Sequence, residues 1–330
     1  MSKARILDID SHRYKPHFLH GEDRAWTETN CYVDLWVELL HGYQLEPMAA
    51  FAFSLLTDYE GDSFTFFKLP LEDLYELYGL DVMEHNPWRS LPEHIAQQVA
   101  LRRPMIVEVD SYYLPDTAGV SYGLAHVKTS VAVNAIDTEA RTLGYFHGRG
   151  YWELNPEQYA GVFRVGAPEG PALFPRLPPY VEVVKTAALK RLSNEELKNL
   201  SVSQLRKHLA RRPRSNPVRA WSADFLRDLD WMKTQSLEMF HQYSFALIRQ
   251  LGSSAECSAS YLRWLGQHGE SGLELAALAM DALSSGAKTL QFRVARAVSG
   301  KKPWDPNPSL TAMAENWDSA MGLLLSRYGG

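Results

Sequence analysis

From about residue 190 onward the chain places apolar residues at helical spacing. Trp221, Phe225, Leu229, Phe240, Phe245 and Ile248 recur at intervals suited to one buried stripe, and helix-period segments fall around 194–211, 221–251, 254–267, 271–284, 287–298 and 308–327. Such segments bury their stripes against one another, so this part reads as all-helical. Residues 1 to about 175 instead mix helix and strand signals. Between the two lies a proline-rich join with Pro168, Pro171, Pro175, Pro178 and Pro179, where the chain runs extended before the strand-like Tyr180-Val181-Glu182-Val183-Val184. The expected organisation is an α+β domain over 1–189 and a helical domain over 190–330. With 330 residues, 45% of them hydrophobic, the chain is long enough for both.

In the first part, Val33, Trp36, Val37 and Leu40 fall at i, i+3, i+4 and i+7, which predicts a helix over 31–41 with Thr29 or Asn30 as N-cap and Gly42 as terminator. A second helix is expected near 47–56, opened by Pro47, followed by a β-rich stretch from Ser63 to Leu69. Short helices near 70–78 and 91–102 precede three strands: Met105–Val109, His126–Ile136 and Thr142–His147. The last two are joined as a hairpin through Asp137-Thr138-Glu139-Ala140-Arg141. A helix opening on Cys31, then more helix, then an antiparallel sheet entered by His126 is the element order of a papain-like α+β fold.

Composition narrows the function classes. The two cysteines, Cys31 and Cys257, form neither a metal-ligand spacing nor a disulfide framework, which fits a reducing cytoplasm. The first ten residues lack an apolar signal core and no run of about 18 apolar residues occurs, so export and membrane insertion are not expected. A net charge of −5 argues against a general nucleic-acid binder. Cys257 has no polar cap of its own and reads as a helix-packing residue.

Cys31 is different because it falls in the first turn of its helix. There the unpaired N–H groups and the positive end of the helix dipole favour a thiolate, and they also stabilise an oxyanion. The N–H of Cys31, with the side chain of Asn30 or Thr29, is the expected oxyanion site. A thiol nucleophile needs a base, and the base needs an orienting group. His126, at the mouth of its strand, is the candidate base; His147, Asn134 and Asp110 are candidate orienters. Asp110, Asp116, His126 and His147 also have the chemistry of metal ligands, but no tight His/Asp spacing supports a metal.

Glu28-Thr29-Asn30-Cys31-Tyr32-Val33-Asp34, Asp58-Tyr59-Glu60-Gly61-Asp62, Val107 to Thr117, Ala125-His126-Val127-Lys128-Thr129, Leu143 to His147, Phe240 to Ala246 and Tyr261-Leu262-Arg263-Trp264-Leu265 resemble a bacterial domain-of-unknown-function family, number 1839, over most of the chain. More distantly, an aspartate followed after one residue by Tyr112-Tyr113-Leu114-Pro115, then a histidine opening a valine-rich strand, is similar to the N-terminal domain of the butirosin-biosynthesis acyltransferase group. That group has a papain-like fold and moves an aminoacyl unit from the phosphopantetheine thioester of an acyl carrier protein onto an amine. The resemblance implies Cys31 as nucleophile and His126 as base, with Asp110, Tyr113 and Asp116 near the substrate. The chain departs from the pattern where an aspartate is expected on the next strand and Tyr145-Phe146-His147 stands instead.

The implied reaction is ping-pong through a Cys31 acyl-enzyme, with no bound cofactor and the substrate carried on phosphopantetheine. A thioesterase or amidase of the same fold, or a non-catalytic carrier-binding scaffold, are the alternatives. Carrier proteins are acidic, so the basic stretch with Arg211, Arg212, Arg214 and Arg219 is the expected docking surface for an acyl or aminoacyl carrier protein.

Overall fold

Strand β4, the longest, has both faces covered, which is why its sequence runs nearly continuously apolar from Val131 to Ile136 with only Asn134 polar. The computed structural model describes residues 3–166, 179–300 and 304–329; Pro168, Pro171, Pro175 and Pro178 of the expected join lie outside them. The described residues divide into two compact units. The first draws on 1–21, 30–47 and 74–191, the second on 22–29, 48–73 and 192–330.

The first unit holds an open sheet of seven strands: β1 (Lys3–Arg5), β2 (Asp81–Glu84), β3 (Met105–Asp110), β4 (Lys128–Asp137), β5 (Thr142–His147), β6 (Gly150–Leu154) and β7 (Val181–Lys185). Their order is β2-β7-β3-β4-β5-β6, with every pairing antiparallel. Strand β1 pairs with the far end of β4, from Ala135 to Asp137, beyond the reach of β3. A register shift between Val133 and Ala135 marks a bulge in β4, and Asn134 sits in it.

Helix α1 (Cys31–Gly42) packs on one face of this sheet, with Leu35, Trp36, Leu39 and Leu40 buried. Each such side chain contributes about 1.5–3 kcal/mol of apolar burial. Its C-terminal end comes close to β5: a Cβ on Gly42 would lie 2.7 Å from the ring of Phe146, so glycine there permits the approach, whereas the helix is ended by Gln44, at φ 57°, rather than by the expected Gly42. Asn30 caps the other end by accepting from the N–H groups of Tyr32 and Val33 at 3.1 and 3.0 Å. Helices α2 (Leu71–Tyr78), α3 (Leu91–Ala100) and α4 (Pro156–Phe163) complete the connections. Strand β6 and helix α4, the latter opened by a capping box from Asn155 to Gln158, lie in a segment with no expected element.

In the second unit, α5 (Asn194–Arg211), α6 (Pro217–Met232), α7 (Leu237–Tyr243), α8 (Gln250–Gln267), α9 (Glu274–Val298) and α10 (Asn307–Tyr328) carry the apolar stripes. The helix expected over 221–251 is broken once and widened once. Ser236 caps a new start at α7, and Ser244–Arg249 forms a wide π turn. The wider turn shifts the phase of the stripe, so Phe245 is 44% exposed while Phe240 and Ile248 are buried.

Two expected segments, 271–284 and 287–298, are one continuous α9. Gly286 does not break it; a Cβ there would lie 2.7 Å from Met313 Cγ, so the glycine gives α10 its close approach. Residues Pro47–Leu56 are 3-10 rather than α-helix, with the hydroxyl of Ser54 donating to the carbonyl three residues back, at Phe51. Among the described residues Ser63–Leu69 joins no sheet. It makes a single bridge, Tyr59 to Phe64, and the N–H of Phe67 donates to the Gln250 side chain at 3.2 Å. Cys257 is buried in α8. Among the described residues no helix is long and apolar enough to cross a membrane.

Candidate active site

Cys31 is the first residue of α1 and is half-buried. Its neighbour Tyr32 shows where this helix end lies: the phenol donates to Glu182 Oε2 on β7 at 2.7 Å, and Tyr180 donates to the other oxygen at 3.0 Å. Burial, and then the Glu182 charge, raise the pKa of Tyr32, keeping it a donor. Glu182 faces Ile106 across the β7–β3 register, and Glu108 and Asp110 follow Ile106 on the same face. The first turn of α1 and Asp110 therefore share one side of the sheet.

Asp110 is where the site takes shape. Its Oδ2 lies 2.6 Å from His126 Nδ1, and its Oδ1 accepts from the N–H of Tyr112 at 3.0 Å. The register explains the encounter: Asp110 pairs with Lys128 at the open end of β3–β4, two residues after His126. With the proton on Nδ1 donated to the carboxylate, Nε2 keeps its lone pair, the tautomer a general base needs. The ring stacks on Tyr112, centroids 4.4 Å apart and planes 15° from parallel, with Tyr113 edge-on at 6.3 Å. Tyr113 is itself held by α4; a Cβ on Gly161 would lie 2.1 Å from its ring. The His126 side chain is 66% exposed, so the dyad faces solvent.

The dyad lies on the wall of a cavity of about 710 Å³, which is also lined by Arg89, Glu108, Lys128 and Arg164. Cys31 is not among the described residues lining it, and it makes no hydrogen bond to His126 among the described residues.

The other two candidate orienters have different tasks. His147 donates from Nδ1 to Asp116 Oδ2 at 2.5 Å and accepts the Thr129 hydroxyl at 2.7 Å. Asp116 is turned inward as well, its second oxygen accepting from Tyr145 at 2.5 Å, so its carboxylate is occupied by β5 side chains. Burial, with the Asp116 charge added, raises the Tyr145 pKa far above its ordinary value. Asn134 bonds both ways to the backbone of Leu7 and donates to the Tyr151 hydroxyl, all at 2.8–3.0 Å. The bulge turns this side chain into a clasp for the N-terminal segment. The Asn30 amide oxygen is used in capping, and Thr29 is buried with its carbonyl accepting from Arg249 at 3.0 Å.

A second polar cluster has no counterpart among the expected residues. Asp34 and Glu38, one turn apart on α1, are fully buried beside His20. Its Nδ1 bonds Glu38 Oε1 and its Nε2 lies 3.4 Å from Asp34 Oδ1. Glu38 also accepts from Tyr14 at 2.5 Å and from the His17 N–H at 3.0 Å. Burial alone would lower the His20 pKa, but hydrogen bonds and charge from both carboxylates outweigh it and raise it to about 9. The available signal was two acids at i and i+4 inside an otherwise apolar helix, with His17 and His20 just upstream.

Family models match the chain twice: a DUF1839 N-terminal domain over residues 15–186 and a DUF1839 C-terminal domain over residues 194–326. The chain belongs to the DUF1839 family. No curated protein matches it. The N-terminal match spans Cys31, Asp110, His126 and His147, whereas the four expected docking arginines lie in the C-terminal match.

Those arginines are differently placed in this DUF1839 chain. Arg219 is paired with Asp318 at 2.8 Å, and Arg212 donates to the carbonyl of Leu209 at the end of α5. Arg211 lines a surface cavity of about 370 Å³ with Lys68 and Pro213, and Arg214 is exposed.

Proposed function

We propose that the chain is a cysteine-dependent acyltransferase of papain-like fold. In this reading it takes an acyl or aminoacyl group from a carrier-bound phosphopantetheine thioester onto Cys31 and passes it to an acceptor. The observation that carries the reading is the His126–Asp110 hydrogen bond at 2.6 Å, which holds an exposed imidazole in the base tautomer. Support comes from Cys31 at the N-terminus of a side-chain-capped helix whose first turn lies on the Asp110 face of the sheet.

In the first half-reaction His126 takes the Cys31 proton, the thiolate attacks the thioester carbonyl, and collapse of the tetrahedral intermediate expels the pantetheine thiol, which recovers the proton. In the second, an amine attacks the acyl-enzyme, His126 takes the proton the nitrogen loses, and the Cys31 sulfur leaves and recovers that proton. Asp110 is the orienting group, a role the register of β3 and β4 supports over His147 and Asn134, whose polar atoms are engaged elsewhere. The exposure of His126 favours a second reading, a thioesterase in which water is the acceptor.

The test is to incubate the protein with an aminoacylated carrier protein and measure intact mass. Wild type should gain the acyl mass and release one thiol per site, and Cys31→Ala should do neither. Absence of both adduct and thiol release across short, long and aminoacyl groups would overturn the proposal.

A further inference from the structure

Among the described residues that line it, the cavity beside the His126–Asp110 dyad carries more positive than negative charge, in a chain whose net charge is −5. Among the described residues two carboxylates line it, and each has its own partner. Asp110 holds His126 at 2.6 Å, and Glu108 holds the Lys128 ammonium at 2.9 Å. What remains is Arg89 and Arg164, on opposite connections: Arg89 in the loop before α3, Arg164 as the residue that ends α4. Among the described residues neither makes an ion pair or a side-chain hydrogen bond; Arg89 lies over the ring of Trp88, at 5.4 Å, and its charge adds to the Ser90 hydroxyl in lowering the pKa of Glu93.

Both arginines are held by the fold rather than floating on it. The N–H groups of Trp88 and Arg89 donate to His94 Nε2 at 3.0 and 3.2 Å, and His94 Nδ1 lies 3.3 Å from His85 Nε2. A histidine accepting two N–H donors on one nitrogen must be unprotonated there, and burial, with the His85 and Arg89 charges, lowers its pKa accordingly. The His94 ring thus acts as a neutral peg for the Arg89 loop. Arg164 sits at φ 53°, the left-handed cap position of α4, with its N–H bonded back to Gly161. The start of α3, at Ser90, Leu91 and Pro92, borders the same cavity and adds the positive end of a helix dipole.

Two guanidinium-bearing residues bordering one cavity match the forked oxygens of a phosphate, as lone ammonium groups do not. We propose that Arg89 and Arg164 form the phosphate subsite of this cavity, holding the phosphate of a flexible arm whose far end reaches His126. This rests on the acyltransfer reading for the identity of the arm, while the phosphate subsite stands on the arginines.

The experiment is titration calorimetry on Cys31→Ala protein, so that binding is read whether or not the thiol reacts. The probes are 4′-phosphopantetheine, pantetheine and inorganic phosphate, each against Cys31→Ala, Cys31→Ala/Arg89→Gln and Cys31→Ala/Arg164→Gln. Phosphopantetheine should bind at least tenfold more tightly than pantetheine, and each glutamine should cost phosphopantetheine about tenfold while leaving pantetheine unmoved. Inorganic phosphate should compete with phosphopantetheine in the arginine-containing protein. Equal affinity for the two arms, or phosphopantetheine affinity unchanged in both glutamine variants, would overturn the subsite. Phosphate-dependent binding without acyl adduct in the wild-type mass assay would retain the subsite and refute the acyltransfer reading.

Discussion

Replacing His20 by alanine should be among the most damaging single changes to the first unit, because it strands two charges that have no water. Asp34 and Glu38 are 2% and 0% exposed, and His20 touches both carboxylates. Removing one partner of a buried ionic cluster costs about 3–5 kcal/mol, since the remaining carboxylates must stay charged in an apolar site or take up protons. The titration of His20 gives a second route to the same size. A rise from the ordinary 6.5 to about 9 is worth about 3 kcal/mol. Because the folded-state pKa is the higher one, this stabilisation is fully present below about pH 6.5 and is lost as pH rises through about 9.

Urea unfolding is the assay. With a slope of about 2 kcal/mol per molar, a loss of about 3 kcal/mol moves the midpoint down by about 1.5 M at pH 6. Wild type should weaken between pH 6.5 and 9, and His20→Ala should lack that slope. His20→Gln/Glu38→Gln, which removes one charge of each sign and retains amide hydrogen bonding, should recover part of the loss. An alanine variant within about 1 kcal/mol of wild type at pH 6, or a wild type whose stability is flat across that window, would refute the reasoning.

Two further outcomes follow from the same fold. Asp110→Asn should fold normally but lower the rate of acyl-enzyme formation by about 10²–10⁴, because an amide that donates to Nδ1 forces the His126 proton onto Nε2; full activity in single-turnover mass kinetics would remove Asp110 from the mechanism. Gly79→Ala should lower stability by at least about 1–2 kcal/mol, since the residue sits at φ 68° and its Cβ would lie 1.8 Å from the Ala188 carbonyl oxygen; an unchanged thermal midpoint would contradict that.

What could be read from the sequence follows the range of the interactions involved. Helix α5 is bounded at 194–211 as expected because its capping box, Ser193 with Glu196, is local chemistry written in four residues. Helix α1 is legible for the same reason, through Asn30 and a stripe of i, i+3, i+4 and i+7 positions. The Ser236 cap is equally local, accepting from the Met239 N–H at 3.3 Å, but the apolar stripe runs on across it and hides it; the continuity of α9 through Gly286 depends instead on tertiary packing, and a glycine looks alike in either case until its neighbour, here Met313, is known.

The candidate site divides along the same line. His126 stood out because it precedes a strand, but its partner could not be chosen among Asp110, Asn134 and His147, each within about 21 residues of it. The choice is made by pairing. The β3–β4 register brings Asp110 to the open strand end, the β4 bulge diverts Asn134 toward Leu7, and β5 carries His147 to Thr129 and Asp116. A one-residue slip in β4 would turn Asn134 and Thr129 to the other face and carry Lys128, with the His126 before it, out of register with Asp110. The chemistry of such a site is therefore specified twice, once by residue type, which a sequence displays, and once by register, which it encodes only through the whole sheet.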